Sequence, residues 1–318
     1  MHTFPEIQLP KIKFALLGLA AYLLVTSTYT ANAKPGVCGN KGIWMQVLGS
    51  GGPEANDGRA SSGYLVWLDG HARVLVDMGP GSMLRYEESG ARIEDLDVVL
   101  LSHLHVDHSA DLPALIKASY FTDRTKDLPV YGPTGNTVMP DTTSFVQALF
   151  SAQSGAYQYL SGYLSGDEAF HLLPHNVSAV KMEVQLITEQ KDYKITAVSV
   201  HHGPIPALAF RIDIGGHAIA FSGDMNGDYH TLPVLASGVD LLVAHHAIPQ
   251  AATGVARNLH MPPSVIGEIA AEAKVKKLVL SHRMRRTLGR ETESKAVIRK
   301  YYHGPLTFAD DGQCFKIN

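Results

Sequence analysis

The chain alternates short apolar runs with loops rich in glycine, proline and polar residues. Tyr64–Asp69 and Ala72–Asp77 are apolar runs separated by a Gly-His pair, which predicts a β-hairpin. Leu208–Ile214 and His217–Phe221 predict a second hairpin around a Gly-Gly pair. Val98–Leu101 is apolar at every position, as expected of a strand that is buried on both faces. The pattern therefore predicts a chain in which strands dominate.

Helical patterns separate these strand groups. The predicted helices are 82–89, 111–120, 141–165, 262–273 and 291–301. The aromatic-rich segment 145–163 is interpreted either as a lid over a site or as helices that pack on the body or on another subunit, which leaves a homodimer open. Because strand groups occur in both halves, we expect two sheets packed face to face with helices outside. The sequence contains no long linker that would mark a second domain.

The N-terminal residues have the pattern of a secretory signal peptide. Lys11 and Lys13 precede the apolar run Phe14–Val25, and Ala31-Asn32-Ala33 provides an A-x-A cleavage site. We predict cleavage after Ala33, so that residues 1–33 are the signal peptide and residues 34–318 form the folded domain. The expected location is periplasmic or secreted, with no stable membrane anchor after cleavage. The alternative is an uncleaved anchor.

Composition is that of an ordinary globular protein, with 318 residues, 45% of them hydrophobic, and a net charge of −3. Loss of Glu6, Lys11 and Lys13 with the signal peptide leaves 25 basic and 29 acidic side chains, a charge of −4. Proteins that bind nucleic acid usually carry a basic surplus. We therefore expect no nucleic-acid partner, and interpret the arginine cluster at 283–290 as a solvated face.

The two cysteines, Cys38 and Cys314, lie near opposite ends of the domain. In an oxidising compartment they could form one disulfide that ties the ends together. Two unpaired thiols are the alternative, because sequence alone does not decide between them.

A dense group of metal-binding side chains follows the apolar run 98–101. His103, His105, Asp107 and His108 fall within six residues. His103 and His105 can face the same side of an extended loop, because they are two residues apart. Histidines are costly to bury without partners, so packing alone does not explain this run. The sequence predicts a metal site here.

Later strands end on further donors of the same kind. The strand-end segments are His201-His202, Ser222-Gly223-Asp224, His245-His246 and Ser281-His282. Each follows a short apolar run. A metal site with several ligands at one edge of a sheet sandwich requires that several strands end in metal-binding residues, as these runs do.

These motifs resemble the metallo-β-lactamase-fold hydrolases over nearly all of residues 34–318. The resemblance rests on His-x-His-x-Asp-His at 103–108, Gly-Ser-Gly-Gly-Pro at 49–53, Asp77, and Ser-Gly-Asp at 222–224. Within that superfamily the chain looks closest to the group of RNase Z and the zinc-dependent arylsulfatases, through the segments at 202–211, 260–263 and 280–282. The resemblance implies an α+β fold, an αββα sandwich of two mixed sheets with helices on the outer faces.

The resemblance also implies two metal ions, which we expect to be zinc, although residue type does not distinguish zinc from manganese or iron. The implied ligands are His103, His105 and His202 for the first ion, Asp107, His108 and His282 for the second, and Asp224 as the bridge. His201 is the alternative to His202. His202 is preferred because its distance to Phe210-Arg211 matches the family spacing better.

Three residues are implied to be catalytic. Asp107 could accept a proton, His245 could assist proton transfer near the leaving group, and His260 could contact a bound anion. Relatives that process transfer RNA usually have glutamate after the first of these histidines. This chain has His246, which puts the proton-relay role of His245 in doubt.

The expected function is that of an exported dinuclear zinc hydrolase that cleaves small sulfate esters with a metal-activated hydroxide, in the manner of an arylsulfatase. A phosphodiesterase acting on small phosphodiesters is the main alternative. The transfer-RNA 3′-processing endonuclease is less favoured, because only 22 positions separate His202 from Asp224 and leave no room for the arm of those enzymes. A β-lactamase is less favoured because a bridging Asp224 is unusual there. A non-catalytic zinc-binding protein is less favoured because the ligand set is nearly complete.

Overall fold

The computed structural model describes residues 38–318. The predicted signal peptide, residues 1–33, lies outside the described residues. The strands are β1 (Ile43–Gly49), β2 (Gly63–Leu68), β3 (His71–Met78), β4 (Val98–Leu100), β5 (Leu128–Pro133), β6 (Leu172–Val177), β7 (Gln185–Glu189), β8 (Tyr193–His202), β9 (Ile205–Ile214), β10 (His217–Phe221), β11 (Leu241–His245), β12 (Leu278–Ser281), β13 (Leu306–Phe308) and β14 (Cys314–Ile317). The helices are α1 (Ser82–Glu88), α2 (Val106–Ser109), α3 (Leu112–Ser119), α4 (Thr142–Phe150), α5 (Gly162–Ser165), α6 (Leu232–Leu235), α7 (Gly254–Leu259), α8 (Pro263–Glu272) and α9 (Glu291–Ile298).

The strands form two mixed sheets of seven. The first has the order β14-β1-β2-β3-β4-β5-β6, and the second has the order β13-β12-β11-β10-β9-β8-β7. In the first sheet the pairs from β14 to β3 are antiparallel and those from β3 to β6 are parallel. In the second sheet the pairs from β7 to β10 are antiparallel and those from β10 to β13 are parallel.

Apolar side chains fill three layers. A central layer between the sheets contains Val76, Phe210 and Phe221. A second layer, with Leu75 and Leu115, packs α1, α3 and α4 on the outer face of the first sheet. A third, formed by residues such as Leu242 and Ile269, packs α6, α8 and α9 on the second sheet. The predicted αββα sandwich is confirmed, because each sheet buries both faces and is covered by helices on one of them.

Strand direction brings the predicted donors to one edge. β10, β11 and β12 are parallel, so their carboxyl ends meet at the same edge of the second sheet. β8 also runs parallel to β10, because each is antiparallel to β9 between them. The carboxyl end of β4 supplies the histidine motif from the first sheet. The topology therefore brings the predicted metal-binding residues that end or follow five strands to one end of the sandwich.

The predicted helix over 141–165 is wrong as one element. α4 ends at Phe150, and a turn around Gly155 precedes the short α5. A β-carbon at Gly155 would lie 2.4 Å from the Ser151 nitrogen, so the chain folds back tightly there. Phe150 and Tyr163 are buried against the first sheet. This segment therefore packs on the body, and the lid interpretation of 145–163 is not supported.

Three strands were not predicted. β6 contains Pro174 and polar residues and forms an edge of the first sheet, which is where proline is tolerated in a strand. β13 and β14 are only three and four residues long, too short to show periodicity.

Cys38 and Cys314 form a disulfide that spans 276 positions and links the first described residue to β14. This outcome selects the paired alternative for the two thiols. Within the described part of the chain, no helix has the length and apolarity that are needed to cross a membrane.

Candidate metal centre

The motif that follows β4 divides its four side chains between two positions. His103 and His105 lie in the loop, whereas Asp107 and His108 lie in α2. His103 and His108 are fully buried, Asp107 is 7% exposed, and His105 is partly exposed. Gly79 makes room for α2, because a β-carbon there would lie 2.1 Å from the Asp107 carbonyl oxygen.

His103, His105 and His202 form one cluster, which we call the open triad. Nε2 of His103 lies 3.0 Å from Nδ1 of His105, and Nε2 of His202 lies 3.4 Å from the same atom. Nδ1 of His202 donates to the Leu259 carbonyl oxygen at 2.8 Å, which leaves its Nε2 lone pair facing the other rings. Three imidazole nitrogens therefore converge on one point.

Asp107, His108 and His282 form a second group, which we call the buried cluster. Oδ2 of Asp107 lies 3.1 Å from Nε2 of His282 and 3.5 Å from Nε2 of His108. The His108 and His282 rings are stacked, with centroids 5.2 Å apart. Both histidines are 1% exposed or less.

Asp224 joins the two clusters. Its Oδ2 lies within 4.0 Å of five imidazole nitrogens, which belong to His103, His108, His202, His260 and His282. Its Oδ1 lies 2.8 Å from Nδ1 of His245. One buried carboxylate thus occupies the position that a bridging ligand would need.

The His108 ring is fixed from behind by Asp77. Oδ2 of Asp77 accepts from Nδ1 of His108 at 2.8 Å and from the Ser102 hydroxyl at 2.8 Å. Oδ1 of Asp77 accepts from the Ser102 backbone nitrogen. Asp77 and His282 both adopt a left-handed backbone, with φ of 55° and 52°. Such strain in non-glycine residues collects at functional sites.

His245 has a protein partner at each ring nitrogen. Nδ1 faces Asp224, and Nε2 lies 3.1 Å from the Tyr64 hydroxyl, which itself donates to the Ser281 hydroxyl at 2.9 Å. His245 is 2% exposed. This geometry favours a role in orienting Asp224. Sequence reasoning missed Tyr64 and Ser281, although the buried tyrosine hydroxyl required a partner.

The neighbouring histidines of each pair turn away from the site. Nδ1 of His201 accepts from the Asn226 amide at 2.6 Å, outside the cluster, so the structure places His202 there and His201 elsewhere. His246 packs on Phe308, and neither of its ring nitrogens has a hydrogen-bond partner. His260 does reach the site, with Nδ1 3.8 Å from Asp224 and without a hydrogen bond.

The protonation preferences fit a cation-binding site. Burial lowers the pKa values of His103, His105 and His202, which favours the neutral rings that bind metals. Burial opposes ionisation of Asp224, but the surrounding histidines outweigh it and hold its pKa well below the ordinary value.

The donor set fits a metal ion. The buried Nε2 of His108 has no hydrogen-bond partner although it faces two carboxylates, and the three triad nitrogens face one another. Buried donor atoms left in this arrangement are costly unless a cation satisfies them. Histidine and carboxylate ligands suit zinc and similar divalent metals.

The prediction of a solvated face holds for only part of the arginine cluster, because Arg285 and Arg290 are exposed whereas Arg283 and Arg286 are fully or partly buried. Arg283 is only 5% exposed and pairs with Glu291 and Asp310. Arg286 is partly buried and donates to the Ala247 carbonyl oxygen at 2.6 Å. The Arg286 charge also helps to lower the pKa of His260, after burial and neighbouring histidines. It therefore places positive charge beside the site.

Comparison with known proteins gives consistent results. Residues 72–283 match the family described as Beta-lactamase superfamily domain. Ribonuclease Z of Mycobacterium sp. (strain KMS) is 31% identical over 256 residues, which cover 76% of this chain and 84% of that relative. The metallo-beta-lactamase fold protein YhfI from Bacillus subtilis superposes with a TM-score of 0.68 at 23% identity, covering 86% of this chain and 98% of that one. Human tRNase Z, short form, superposes with a TM-score of 0.65 at 21% identity, covering 86% and 99%.

The fold and the joined histidine–aspartate clusters define a metal-dependent hydrolase with the metallo-β-lactamase fold. The chain belongs to the beta-lactamase superfamily, in the group that contains ribonuclease Z. The resemblance to that group is thereby confirmed.

Two predictions are corrected by these relatives. Sulfate-ester cleavage is wrong, because the relatives are named as ribonucleases and not as sulfatases. The expectation of no nucleic-acid partner is wrong for the same reason. It relied on the charge of the whole chain, which does not report the local charge at a site. Metal cations held in the two clusters, together with the nearby Arg286, would attract a phosphate group even though the protein as a whole carries a negative net charge.

Proposed function

We propose that the protein is a two-zinc phosphodiesterase that cleaves phosphodiester bonds of ribonucleotides. The observation that carries this proposal is the position of Asp224, whose Oδ2 lies within 4.0 Å of five imidazole nitrogens from separate segments of the chain. Such a carboxylate between two ligand groups suits a pair of metals that clamp a phosphoryl group. The relationship to ribonucleases supports the phosphodiester bond as the target.

The residues divide between the two proposed zinc sites. The open triad would hold one ion, the buried cluster would hold the other, and Asp224 would contact both. The ions, when bound, would supply Lewis-acid polarisation of the phosphate and a lowered pKa for water. Leu259 and Asp77 orient His202 and His108 for metal binding. Each ring donates a hydrogen bond from Nδ1 to its partner, which leaves Nε2 free to bind the metal.

Three side chains would handle protons or orientation. Asp107 would accept a proton through the carboxylate oxygen that does not hold the ion, because its Oδ2 faces His108 and His282. His260 would donate a hydrogen bond to a phosphate oxygen from its neutral ring, since its Nδ1 is buried, lacks a partner and lies on the Asp224 side of the site. His245 would hold Asp224 in place, because both of its nitrogens are engaged.

Short, unstructured strands fit this chain better than folded RNA. The segment between His202 and Asp224 consists of a tight turn followed by the hairpin of β9 and β10. No further segment extends from this hairpin to grip a distant part of a large substrate. We therefore favour oligoribonucleotides and small nucleotide diesters.

The test is a comparison of substrates with zinc-loaded protein. We expect hydrolysis of bis(4-nitrophenyl) phosphate and of a short oligoribonucleotide, with much slower turnover of 4-nitrophenyl phosphate and none of 4-nitrophenyl sulfate. His202→Ala should abolish both diester activities, whereas His175→Ala, which removes an exposed ring on β6, should retain them. Faster cleavage of the monoester than of either diester, or an active His202→Ala variant, would refute the proposal.

We also propose that the protein is exported. The A-x-A pattern at 31–33 and the Cys38–Cys314 disulfide support an oxidising compartment. N-terminal sequencing of the protein from fractionated cells should find Lys34 first, outside the cytoplasm. A full-length chain confined to the cytoplasm would contradict this.

A further inference from the structure

A cavity lies beside the open triad and shares a residue with it. Its volume is about 120 Å³, below the ~300–1,000 Å³ of pockets that enclose a whole drug-sized ligand, so it can receive only one small part of a larger substrate. Loops after β5 and β6 and the turn between β8 and β9 form its walls. Its lining includes Thr134, Asn136, Ala179, His202, Pro204 and Tyr229. His202 therefore connects this cavity to the candidate metal centre.

Hydrogen bonds between the loops fix the walls. The Thr134 hydroxyl accepts from the Ala179 backbone nitrogen at 3.0 Å, which ties the loop after β5 to the loop after β6. The Asn136 amide donates to the Pro204 carbonyl oxygen at 2.8 Å, which ties the first loop to the β8–β9 turn. The cavity is thus built by three connected segments.

The lining suits an uncharged, flat group. Among the described residues that line the cavity, none is lysine, arginine, aspartate or glutamate. The Asn136 side-chain oxygen already accepts from the Val138 and Met139 backbone nitrogens, and its nitrogen is used at Pro204. A phosphate would find no cationic partner in such walls. An aromatic base would be accepted, because its edges are uncharged hydrogen-bonding groups and its faces can contact apolar residues such as Val180 and Pro206.

Tyr229 offers a stacking face at this cavity. Its side chain belongs to the lining and the residue is 39% exposed, so part of the ring surface is available. The loop that carries it is anchored by buried Asn226, whose amide donates to Asp228 and to the Asn258 carbonyl oxygen. The Tyr229 ring also packs against the His201 ring, and the two ring centroids are 4.9 Å apart. Tyr229 is therefore positioned before a ligand arrives.

We propose that this cavity receives the nucleobase of the nucleotide whose phosphate lies at the metal centre, with Tyr229 stacking on the base. The placement of the phosphate rests on the proposed phosphodiesterase function. The base would contact the uncharged walls and the tyrosine ring, and the cavity would set a preference for nucleotide diesters over simple alkyl diesters. Stacking on an aromatic side chain tolerates different bases, so little base specificity is expected from this residue alone.

The kinetic test uses two diesters that release the same leaving group. These are the 4-nitrophenyl ester of thymidine 5′-monophosphate and methyl 4-nitrophenyl phosphate, which lacks a base. Tyr229→Ala should raise KM about tenfold for the nucleotide ester, because the stacking contact with the base is lost, and leave both kinetic constants for the methyl ester unchanged. Tyr229→Phe keeps the ring and should behave like the native protein. Equal effects of Tyr229→Ala on both esters, or on neither, would overturn the proposal.

A second variant and a binding measurement separate this proposal from the function it rests on. Val180 lines the cavity and is 79% exposed, so Val180→Trp should cover the mouth without disturbing the core and should also weaken the nucleotide ester selectively. Calorimetry with adenosine monophosphate should show about tenfold weaker binding to Tyr229→Ala, with inorganic phosphate binding unchanged. If neither ester is cleaved but this binding difference holds, the phosphodiesterase function fails and the base pocket stands. If the esters are cleaved and Tyr229→Ala binds adenosine monophosphate as the native protein does, the base pocket fails alone.

Discussion

The open triad and the buried cluster differ in how their ligand atoms are supported. In the open triad His105 is partly exposed, and its nearest polar neighbours are the other two rings. In the buried cluster His108 is fully enclosed and held by Asp77, which Ser102 holds in turn. Ligands oriented by outer hydrogen bonds bind metals more tightly. Neutral partners also hold two triad rings, His202 through Leu259 and His103 through Ser102. The full burial of His108 and its charged partner Asp77 therefore carry the comparison, which implies a tightly held ion at the buried cluster and a more exchangeable ion, nearer the substrate, at the open triad.

The largest effect is expected from Asp224, a carboxylate that faces histidines of both regions. Asp224→Asn removes a negative charge faced by five imidazole nitrogens while keeping the shape of the side chain. We expect both sites to lose affinity and diester hydrolysis to fall at least ~10³-fold, about 4 kcal/mol of barrier. Metal analysis after dialysis should find less than one zinc per chain.

Asp141→Asn is the matched control for this change. Asp141 caps α4 through the Ser144 nitrogen, and asparagine can cap in the same way. The control should keep two zinc ions and full activity. An Asp224→Asn variant that retains two zinc ions would show that Asp224 does not bridge them, and the two regions would then be independent.

His105→Ala separates the two regions. Removal of this partly exposed ring leaves the triad with two ligands and does not touch Asp77, His108 or His282. We expect the zinc content to fall from two ions to one, and diester hydrolysis to fall about 10²-fold, because one side of the phosphoryl clamp is lost. His175→Ala serves as the control. Loss of both ions from His105→Ala would contradict the idea that the buried cluster holds its metal on its own.

Asp77→Asn probes the outer support of the buried cluster. The carboxylate accepts from Nδ1 of His108, whereas an amide would offer a competing donor there. We expect a 10- to 100-fold loss of affinity for the more tightly held zinc, measured by competition with a chelator. The open triad should be unaffected. An unchanged affinity would mean that burial alone, without Asp77, gives the cluster its tight binding.

Many of the candidate metal ligands could be predicted from the sequence, because they lie at the carboxyl ends of strands. Short apolar runs that end in histidine or aspartate identified His103, His108, Asp224 and His282 as candidates before any geometry was known. Parallel strands must present such residues at one edge. Local sequence therefore sufficed where the chemistry sits at the end of a regular element.

The rest depended on contacts distant in sequence. In the pairs His201-His202 and His245-His246, the family spacing and motifs favoured His202 and His245. The physical reason appears only in the structure, where contacts with Asn226 and Phe308 turn His201 and His246 away from the site. Tyr64 meets His245 across 181 positions. The net charge of the whole chain led to the wrong prediction of no nucleic-acid partner. A net charge is a sum over the molecule and does not show that Arg286 lies beside the site.

The last expected effect concerns stability and not metal binding, and it involves His246, a buried imidazole that neither region uses. Burial, with a contribution from Arg283, lowers its pKa to about 4 from an ordinary value of 6.5. Between these two values the unfolded chain binds a proton that the folded chain excludes, so stability rises with pH in this window and is lost as the pH falls from 6.5 toward 4. The loss from this group is about 3 kcal/mol when complete. His246→Leu should therefore flatten the dependence of the unfolding free energy on pH between 6.5 and 4, measured by urea denaturation. His175→Leu, which replaces an exposed ring, should follow the native curve. If the native and His246→Leu curves stay parallel through this window, His246 is not the buried neutral ring that its surroundings indicate.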